Sequence, residues 1–437
     1  MARNNSRESL LRVGKSTKTA CEETPLLGNN PKPLSSQAKT FANLFISIIG
    51  AGVLGLPYTF KKTGWFTCLI TLFGIAGLVY HGMMLLVKTR RKLKAVSSPL
   101  HDDQVASFGD LGFAACGNVG RFAVDTLIVL SQSAFCIGYL IFIGNTMANL
   151  FNSNKSLSAV ATGLLSSANI YGISAKTVYI WSLLPFQLVL NSIRTLTHLA
   201  PLSIFADIVQ FGAMGVVLVQ DSVMISHQTH HVEAFGSLST FFYGMGVAIY
   251  TFEGIGMVLP LEDETKDKSK FPQLVCFSMF SIAFVYAAFG LLGYLAFGEN
   301  TKDIITSNMG EGALSTAVQL GLCINLFFTF PLMMNPVYDV LERRVFDGSY
   351  CLWIRWLVVF VISLIALYVP GFTDFISLVG CSACCVLGLV FPALFHYIVF
   401  KDEMSPTRAM VDIAVIVVGL VFGISGTWYS LQEIFAV

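Results

Sequence analysis

Two strings in this chain combine residue types that can grip a small charged molecule. The first, Ser47-Ile48-Ile49-Gly50-Ala51-Gly52-Val53-Leu54-Gly55-Leu56-Pro57, sets three glycines and a proline in an apolar run. The second, Thr251-Phe252-Glu253-Gly254-Ile255-Gly256-Met257-Val258-Leu259-Pro260, places a carboxylate between two apolar halves. Each glycine costs a helix about 1 kcal/mol relative to alanine, so both runs are predicted to unwind. A half-helix starting near Gly52 would then aim bare N–H groups and a positive dipole end at a carboxylate. The opposite half-helix end, around Tyr250 and Thr251, would offer bare carbonyls to an ammonium. The pair suits an α-amino-acid zwitterion, with Gly50, Ala51 and Gly52 leaving room for it. No Arg or Lys sits in the middle of an apolar run to pair an acidic side chain, so the expected cargo is neutral amino acids.

The elements that must carry these strings are membrane helices. Of 437 residues, 54% are hydrophobic and only 12% charged, about half the charge of a soluble globular chain. Soluble enzymes, nucleic-acid binders and disordered scaffolds are disfavoured together. With 27 basic against 26 acidic side chains, no bulk field attracts nucleic acid. A span needs ~20 mostly apolar residues. That criterion predicts eleven: 40–60, 65–87, 122–151, 175–193, 197–220, 235–260, 271–298, 313–340, 353–370, 372–400 and 412–431. At these lengths only helices satisfy their own backbone. An N-terminus in the cytosol puts 22 Lys and Arg inside and 5 outside, the excess expected of cytoplasmic loops; the C-terminus then lies in the lumen. The first 39 residues have no apolar stretch, so no cleavable signal peptide is expected. The ten cysteines lie mostly in apolar runs, where a thiol acts as a small hydrophobe; no metal site, catalytic site or cofactor is expected.

Val53-Leu54-Gly55-Leu56-Pro57 and Gly256-Met257-Val258-Leu259-Pro260 align at an offset of 203 residues. The spans that hold them would enter the membrane from opposite sides. Interrupted spans at matching places in two inverted halves point to a transporter's binding site. A close-packing seam between helices is the competing reading of Gly-x-Gly alone.

On Ile49–Pro57, Phe252–Glu262, Asn191–Ile208 and Thr301–Thr306 the chain resembles the amino acid/auxin permease family, most closely its plant vacuolar neutral amino acid transporters, and is similar to proton-assisted amino acid transporters. The likeness runs from about residue 38 to 431. It implies an all-α polytopic membrane protein with about eleven transmembrane helices: two inverted five-helix repeats with broken helices 1 and 6, LeuT-like, plus one extra helix. The divisions would be a disordered cytosolic tail (1–39), a first repeat (40–220), a second (235–400) and a last helix (412–431). The resemblance puts substrate against Ser47, Ile48, Gly50, Ala51, Gly52 and Val53, and against Thr251, Phe252, Glu253 and Gly254. Tyr139 and Thr329 would line the cavity. The proton-assisted members carry a His about one turn before Gly-x-Gly, where this chain has Asn43. The proton-coupling candidates are therefore Glu253, an intramembrane carboxylate, and then Asp207. Glu253 also fits as a cap on a second half-helix.

Several smaller features complete the expectations. Glu22, Leu26 and Leu27 form an acidic dileucine pattern of the kind read by vacuolar sorting adaptors. Asn154-Lys155-Ser156 is an outward-facing glycosylation sequon. Asp125 is expected to pair with Arg121 one turn away. Glu262, Asp263 and Glu264 are expected in a solvated loop, with gating by charge pairing the alternative. His227, His230 and His231 read as solvated loop residues in an acidic lumen. The expected function is proton-coupled transport of neutral amino acids from vacuole to cytosol by alternating access. An amino-acid sensor without net transport and a membrane-embedded enzyme are the rivals.

Overall fold

The computed structural model describes residues 35–96, 107–153, 174–194, 200–227, 230–310, 312–369 and 371–435. The sorting string at Glu22, Leu26 and Leu27, the sequon at Asn154 and most of the 1–39 tail lie outside them. Residues 35–39 shorten the tail. Ser35 pairs with Thr265, and a helix already runs from Gln37, capped by the Ser36 hydroxyl accepting the Lys39 amide.

Each predicted span coincides with helix. The first is α1 (Gln37–Ile48), a 3-10 turn (Ala51–Gly55) and α2 (Leu56–Thr63). The next four are α3 (Trp65–Val96), α4 (Phe108–Ser153), α5 (Ala175–Asn191) and α6 (Ala200–His227). The sixth comprises α7 (Leu238–Thr251) and α8 (Ile255–Glu264), followed by α9 (Phe271–Phe297), α10 (Ala313–Val345) and α11 (Leu352–Tyr368). The tenth joins α12 (Phe372–Val379), two π turns (Gly380–Cys384, Val386–Val390) and α13 (Phe391–Phe400); the last is α14 (Pro406–Phe435). Among the described residues eight helices are long and apolar enough to cross a membrane, or nine with the bent α1–α2 pair counted as one span. Helices α5 and α11, at 17 residues each, fall short of the usual ~20, and Pro185 lies inside α5.

The two broken spans run antiparallel and are tied at both ends. At one end, the amide of Ser35, just before α1, donates to the Glu264 carbonyl at 2.8 Å, and the Lys266 amide returns a bond to Ser35. At the other, the amides of Trp65 and Phe66, just past α2, donate to Glu233 and Ala234, just ahead of α7. The tenth span closes on α7 where both are smallest: a Cβ on Gly246 would lie 2.6 Å from the Cys381 sulfur, and one on Gly380 would strike the Gly246 carbonyl. Outward faces carry exposed apolar side chains, such as Phe277, Phe280 and Phe284 on α9. An apolar rim of this sort suits hydrocarbon as the solvent, while backbone groups are satisfied within each helix.

Charged side chains near the helix ends are paired, though not always as the sequence suggests. Asp125 is buried and accepts from Arg343 and Arg344 of α10, at 3.1 and 3.0 Å; Arg121 instead pairs with Asp110. The expected pairing one turn away is thus corrected: a long-range partner on a neighbouring helix displaces the local one. Glu342 and Arg355 form a buried two-bonded pair, 2.8 and 3.2 Å, joining α10 to α11. The guanidinium lies between the Tyr338 and Tyr350 rings, 4.6 Å from each centroid. Removing one member leaves a buried charge without its partner, which costs about 3–5 kcal/mol. Glu342→Ala is therefore expected to lower the melting temperature in detergent clearly, and Glu342→Ala with Arg355→Met to recover much of the loss.

Candidate functional site

Both predicted breaks exist. Helix α1 stops at Ile48; Ile49 and Gly50 are extended, and the chain resumes as a 3-10 turn at Ala51, with α1 and the following segment bent by 51°. Helix α7 stops at Thr251, and α8 starts at Ile255 after Phe252, Glu253 and Gly254. The amides of Ala51 and Gly52 belong to a first turn, which has no intrahelical acceptor to offer them.

The two breaks interlock. A Cβ on Gly254 would come within 2.7 Å of the Ile48 side chain, and one on Gly52 within 3.0 Å of the Tyr250 ring. Glycine at these positions lets one break seat against the other. Above them, the Tyr286 hydroxyl of α9 lies 3.1 Å from the Ile48 carbonyl and 3.2 Å from the Thr251 carbonyl. A single buried hydroxyl, backed by the Phe252 ring at 5.2 Å, thus serves the last carbonyl of each half-helix. Those carbonyls would otherwise face a dry interior unpaired.

The structure brings most of the predicted residues together, in two layers. Gly50 is exposed, and nothing lies within 4 Å of where its Cβ would be; Ser47 and Glu253 are half-buried. Ile48, Ala51, Gly52, Val53, Thr251, Phe252 and Gly254 are buried, so they form the frame behind that opening. The Ser47 and Thr251 hydroxyls donate within their own helices, to Leu44 and Val247. Glu253 makes no ion pair or side-chain hydrogen bond among the described residues; Tyr139 on α4, Tyr250 and Cys384 lie within electrostatic reach of it. The Tyr250 ring meets Phe135 edge-on at 4.8 Å, which docks α7 on α4 beside Tyr139. Thr329 donates back to Asn325 of its own helix, and Asn325 bonds Gln210 of α6 at 3.0 Å; it belongs to the α6–α10 contact. Asp207, half-buried on α6, makes no ion pair or hydrogen bond among the described residues.

Two features escaped the sequence reading, and a third was held there only as an alternative at one end of the broken spans. Tyr286 carried no local signal, since its role depends on two carbonyls far away in the chain. Asp221 on α6 is buried with one carboxylate oxygen unpartnered; the criterion that picked Asp207, an acid in an apolar run, could have found it. The third is a pair of charged clusters at the two ends of the broken spans. Glu262 is buried, not solvated as expected. It pairs with Arg90 and, at 2.6 Å, with Arg91 of α3, while Arg90 also bonds Asp263 at 2.7 Å and the Leu259 carbonyl at 3.0 Å. The alternative of charge pairing is thus the one formed, with partner arginines that come from α3. At the other end Lys62 of α2 bonds Asp374 of α12 at 3.4 Å and Glu433 of α14 at 2.8 Å, and Tyr243 donates to the same Asp374 at 2.9 Å. Of the histidines, His227 and His231 are exposed and His230 half-buried. Cys381 and Cys385 serve as packing groups, their thiols donating to the Phe242 and Gly419 carbonyls.

Tyr286→Phe keeps the ring and removes the hydroxyl, leaving buried carbonyls unsatisfied at a cost of about 1–3 kcal/mol. It is expected to lower the melting temperature in detergent, whereas a Tyr368→Phe control at the exposed end of α11 should shift it less. Arg90→Met leaves Glu262 only the exposed Arg91 as partner and removes the bonds to Asp263 and the Leu259 carbonyl, which is expected to loosen this end of the broken spans. A cysteine placed at Ser36 should then react faster with a membrane-impermeant maleimide than it does beside intact Arg90.

The family model described as "Transmembrane amino acid transporter protein" matches residues 34–432. Among proteins of Arabidopsis thaliana, amino acid transporter AVT3B is 61% identical over 95% of this chain and 98% of its own length. Amino acid transporter AVT3A is 55% identical over 94% and 93%. Amino acid transporter ANT1 is 32% identical over 94% and 97%. Among solved structures, Mhp1, a nucleobase-cation-symport-1 family transporter, superposes with a TM-score of 0.50 at 14% identity, covering 93% of this chain and 94% of that one. That likeness supports the LeuT-like arrangement of two repeats. A near full-length family match and three full-length relatives agree with the paired breaks: this chain is a multi-pass membrane protein of the transmembrane amino acid transporter family, a family of transporters rather than enzymes.

Proposed function

We propose that the protein is a secondary transporter of neutral amino acids, carrying them from the vacuolar lumen to the cytosol by alternating access coupled to a proton. The observation that carries this reading is the open Gly50 and the half-buried, unpaired Glu253 on two interlocked breaks. The substrate carboxylate would take the first-turn amides of Ala51 and Gly52, in the positive field of that helix start. Its ammonium would lie towards the end of α7. Ser47 and Glu253 would line the guest directly. Ile48, Val53, Thr251, Phe252, Gly254, Tyr139 and Thr329 would act from behind, as frame and wall. Glu253, an intramembrane carboxylate without a counter-charge, is the proposed proton carrier, with Asp207 second and Asp221 added to the candidates.

In this scheme the chain crosses the membrane eleven times, from a cytosolic N-terminus to a lumenal C-terminus. The Arg90–Glu262 cluster then closes the cytosolic side and the Lys62–Asp374–Glu433 cluster the lumenal side; alternating access would open one while the other stays shut. Glu22, Leu26 and Leu27 would direct sorting to the vacuole. Net flux separates this reading from the sensor.

Radiolabelled alanine uptake into proteoliposomes with an acidic exterior tests the whole. Uptake is expected to rise with the pH gradient in the parent protein and to lose that dependence in Glu253→Gln. Gly50→Leu, at full protein abundance, should reduce uptake by about tenfold or more, the equivalent of ~1.4 kcal/mol of lost binding. Binding of alanine without gradient-driven accumulation would favour the sensor instead.

A further inference from the structure

The string at residues 301–306 carries part of the family likeness, yet the site described above makes no use of it. It lies in the loop between α9 and α10, at the same end of the molecule as the Lys62 cluster. The loop is firmly held. Lys61 of α2 donates to the Glu299 carbonyl at 2.5 Å, and the Gln319 side chain of α10 donates to the Thr306 carbonyl at 2.8 Å. Asn308 closes the loop on itself, accepting the Lys302 amide and donating to the Asn300 carbonyl, both at 2.8 Å. Thr301, Ile304, Ile305 and Thr306 are 0–3% exposed.

Asp303, the one acid of the string, spends both carboxylate oxygens on the start of the tenth span. One accepts the Phe372 amide at 2.8 Å and the other the Thr373 amide at 2.9 Å. The Thr373 hydroxyl donates in return to the Asp303 carbonyl at 2.9 Å. First-turn amides have no intrahelical acceptor, and a negative charge suits the positive end of a helix. No local side chain takes this role. The cap position is Gly371, and a Cβ there would lie 2.5 Å from an Asp374 carboxylate oxygen.

Three consecutive residues of this first turn hold three different parts of the protein. The Phe372 ring meets Phe142 of α4 edge-on at 5.7 Å. Thr373 packs against the first break, where a Cβ on Gly55 would come within 2.8 Å of its hydroxyl oxygen. Asp374 receives Lys62 and Tyr243. The string also meets the first span directly: Ile305 and Pro57 share the space at Gly293 of α9, where an added Cβ would lie 3.3 Å and 2.6 Å from them.

We propose that Asp303 is a positioning residue for the substrate site. By capping the tenth span it seats Thr373 against Gly55, and so sets the 3-10 turn whose Ala51 and Gly52 amides receive the substrate carboxylate. The inference rests on the proposed use of those amides. Asp303 touches no substrate; its effect passes through one helix turn. Without the carboxylate, the Phe372 and Thr373 amides lose their acceptor, the first turn frays and the 3-10 turn loses the wall behind it. Lys62 keeps Glu433 as a partner at 2.8 Å, so the charged cluster at this end survives. The expected loss is therefore in affinity rather than in maximal rate.

The test compares full-length Asp303→Ala and Asp303→Asn with the parent, by alanine uptake into proteoliposomes and by hydrogen–deuterium exchange without alanine. Glu342→Ala, destabilised at the opposite end of α10, controls for lost stability alone. Asp303→Ala is expected to raise KM for alanine about fivefold and to leave the maximal rate per folded molecule near the parent's. Asp303→Asn keeps one acceptor oxygen and should fall between the two; it carries both readouts if Asp303→Ala does not fold. Exchange should quicken both at residues 372–376 and at Ala51–Gly55, whereas Glu342→Ala should leave KM and both segments unchanged. A loss of maximal rate with KM intact, the mark of a merely structural role, would overturn the proposal. So would faster exchange at 372–376 with Ala51–Gly55 unmoved. If the parent takes up no alanine the substrate reading falls, and exchange at Ala51–Gly55 still decides whether Asp303 positions that turn.

Discussion

A single tyrosine hydroxyl, shared between the cut ends of two antiparallel helices, is the contact on which the arrangement of this protein turns. Ending a helix inside a membrane exposes carbonyls that neither lipid nor an empty cavity can satisfy. Tyr286 answers for Ile48 and Thr251 at once. The breaks can then remain broken, and the first-turn amides of Ala51 and Gly52 have no intrahelical acceptor. Gly52 and Gly254 serve the same constraint from below, since side chains there would hold the two breaks apart.

The rest of the molecule reads as support for that junction. The broken spans are tied head to tail by backbone bonds at Ser35 with Glu264 and Lys266, and at Trp65 and Phe66 with Glu233 and Ala234. Beyond the ties, charges pair at each end: buried Arg90 and exposed Arg91 on buried Glu262, and Lys62 on Asp374 and Glu433. A buried ion pair contributes little net stability, yet breaking it unevenly is costly. The glycine-to-glycine crossing of α7 with the tenth span gives the junction a rigid back, and the Tyr250–Phe135 contact joins it to α4.

Much of this was legible in the sequence because the membrane is a severe solvent. Twenty-residue apolar runs, basic loops and misplaced glycines are strong signals when each exposed backbone group costs several kcal/mol. The 203-residue offset set the two breaks in register, and the structure stops α1 and α7 at matching places, Ile48 and Thr251. The start of α1 ran earlier than expected, since Ser36 caps a helix that begins at Gln37, three residues ahead of the predicted start at 40. Local reasoning failed where partners come from far away. Asp125 left its near neighbour Arg121 for Arg343 and Arg344, and Glu262 was claimed by α3. Asp221 was missed though its signal was local.

What the sequence by itself determined is where helices run, where two of them come apart, and that the halves oppose one another. Those follow from hydropathy, from glycine's backbone freedom and from charge counted along the chain, all of which are properties of neighbours in sequence. Only the tertiary structure decided which bared groups stay bare. It assigned Ser47 and Thr251 hydroxyls to their own helices, Thr329 to Asn325, and the Ile48 and Thr251 carbonyls to Tyr286, leaving Gly50 beside open space and Glu253 half-buried without a side-chain partner among the described residues. Hydrogen-bond satisfaction in a dry interior is settled by whichever donor packing delivers, and packing joins residues hundreds of positions apart.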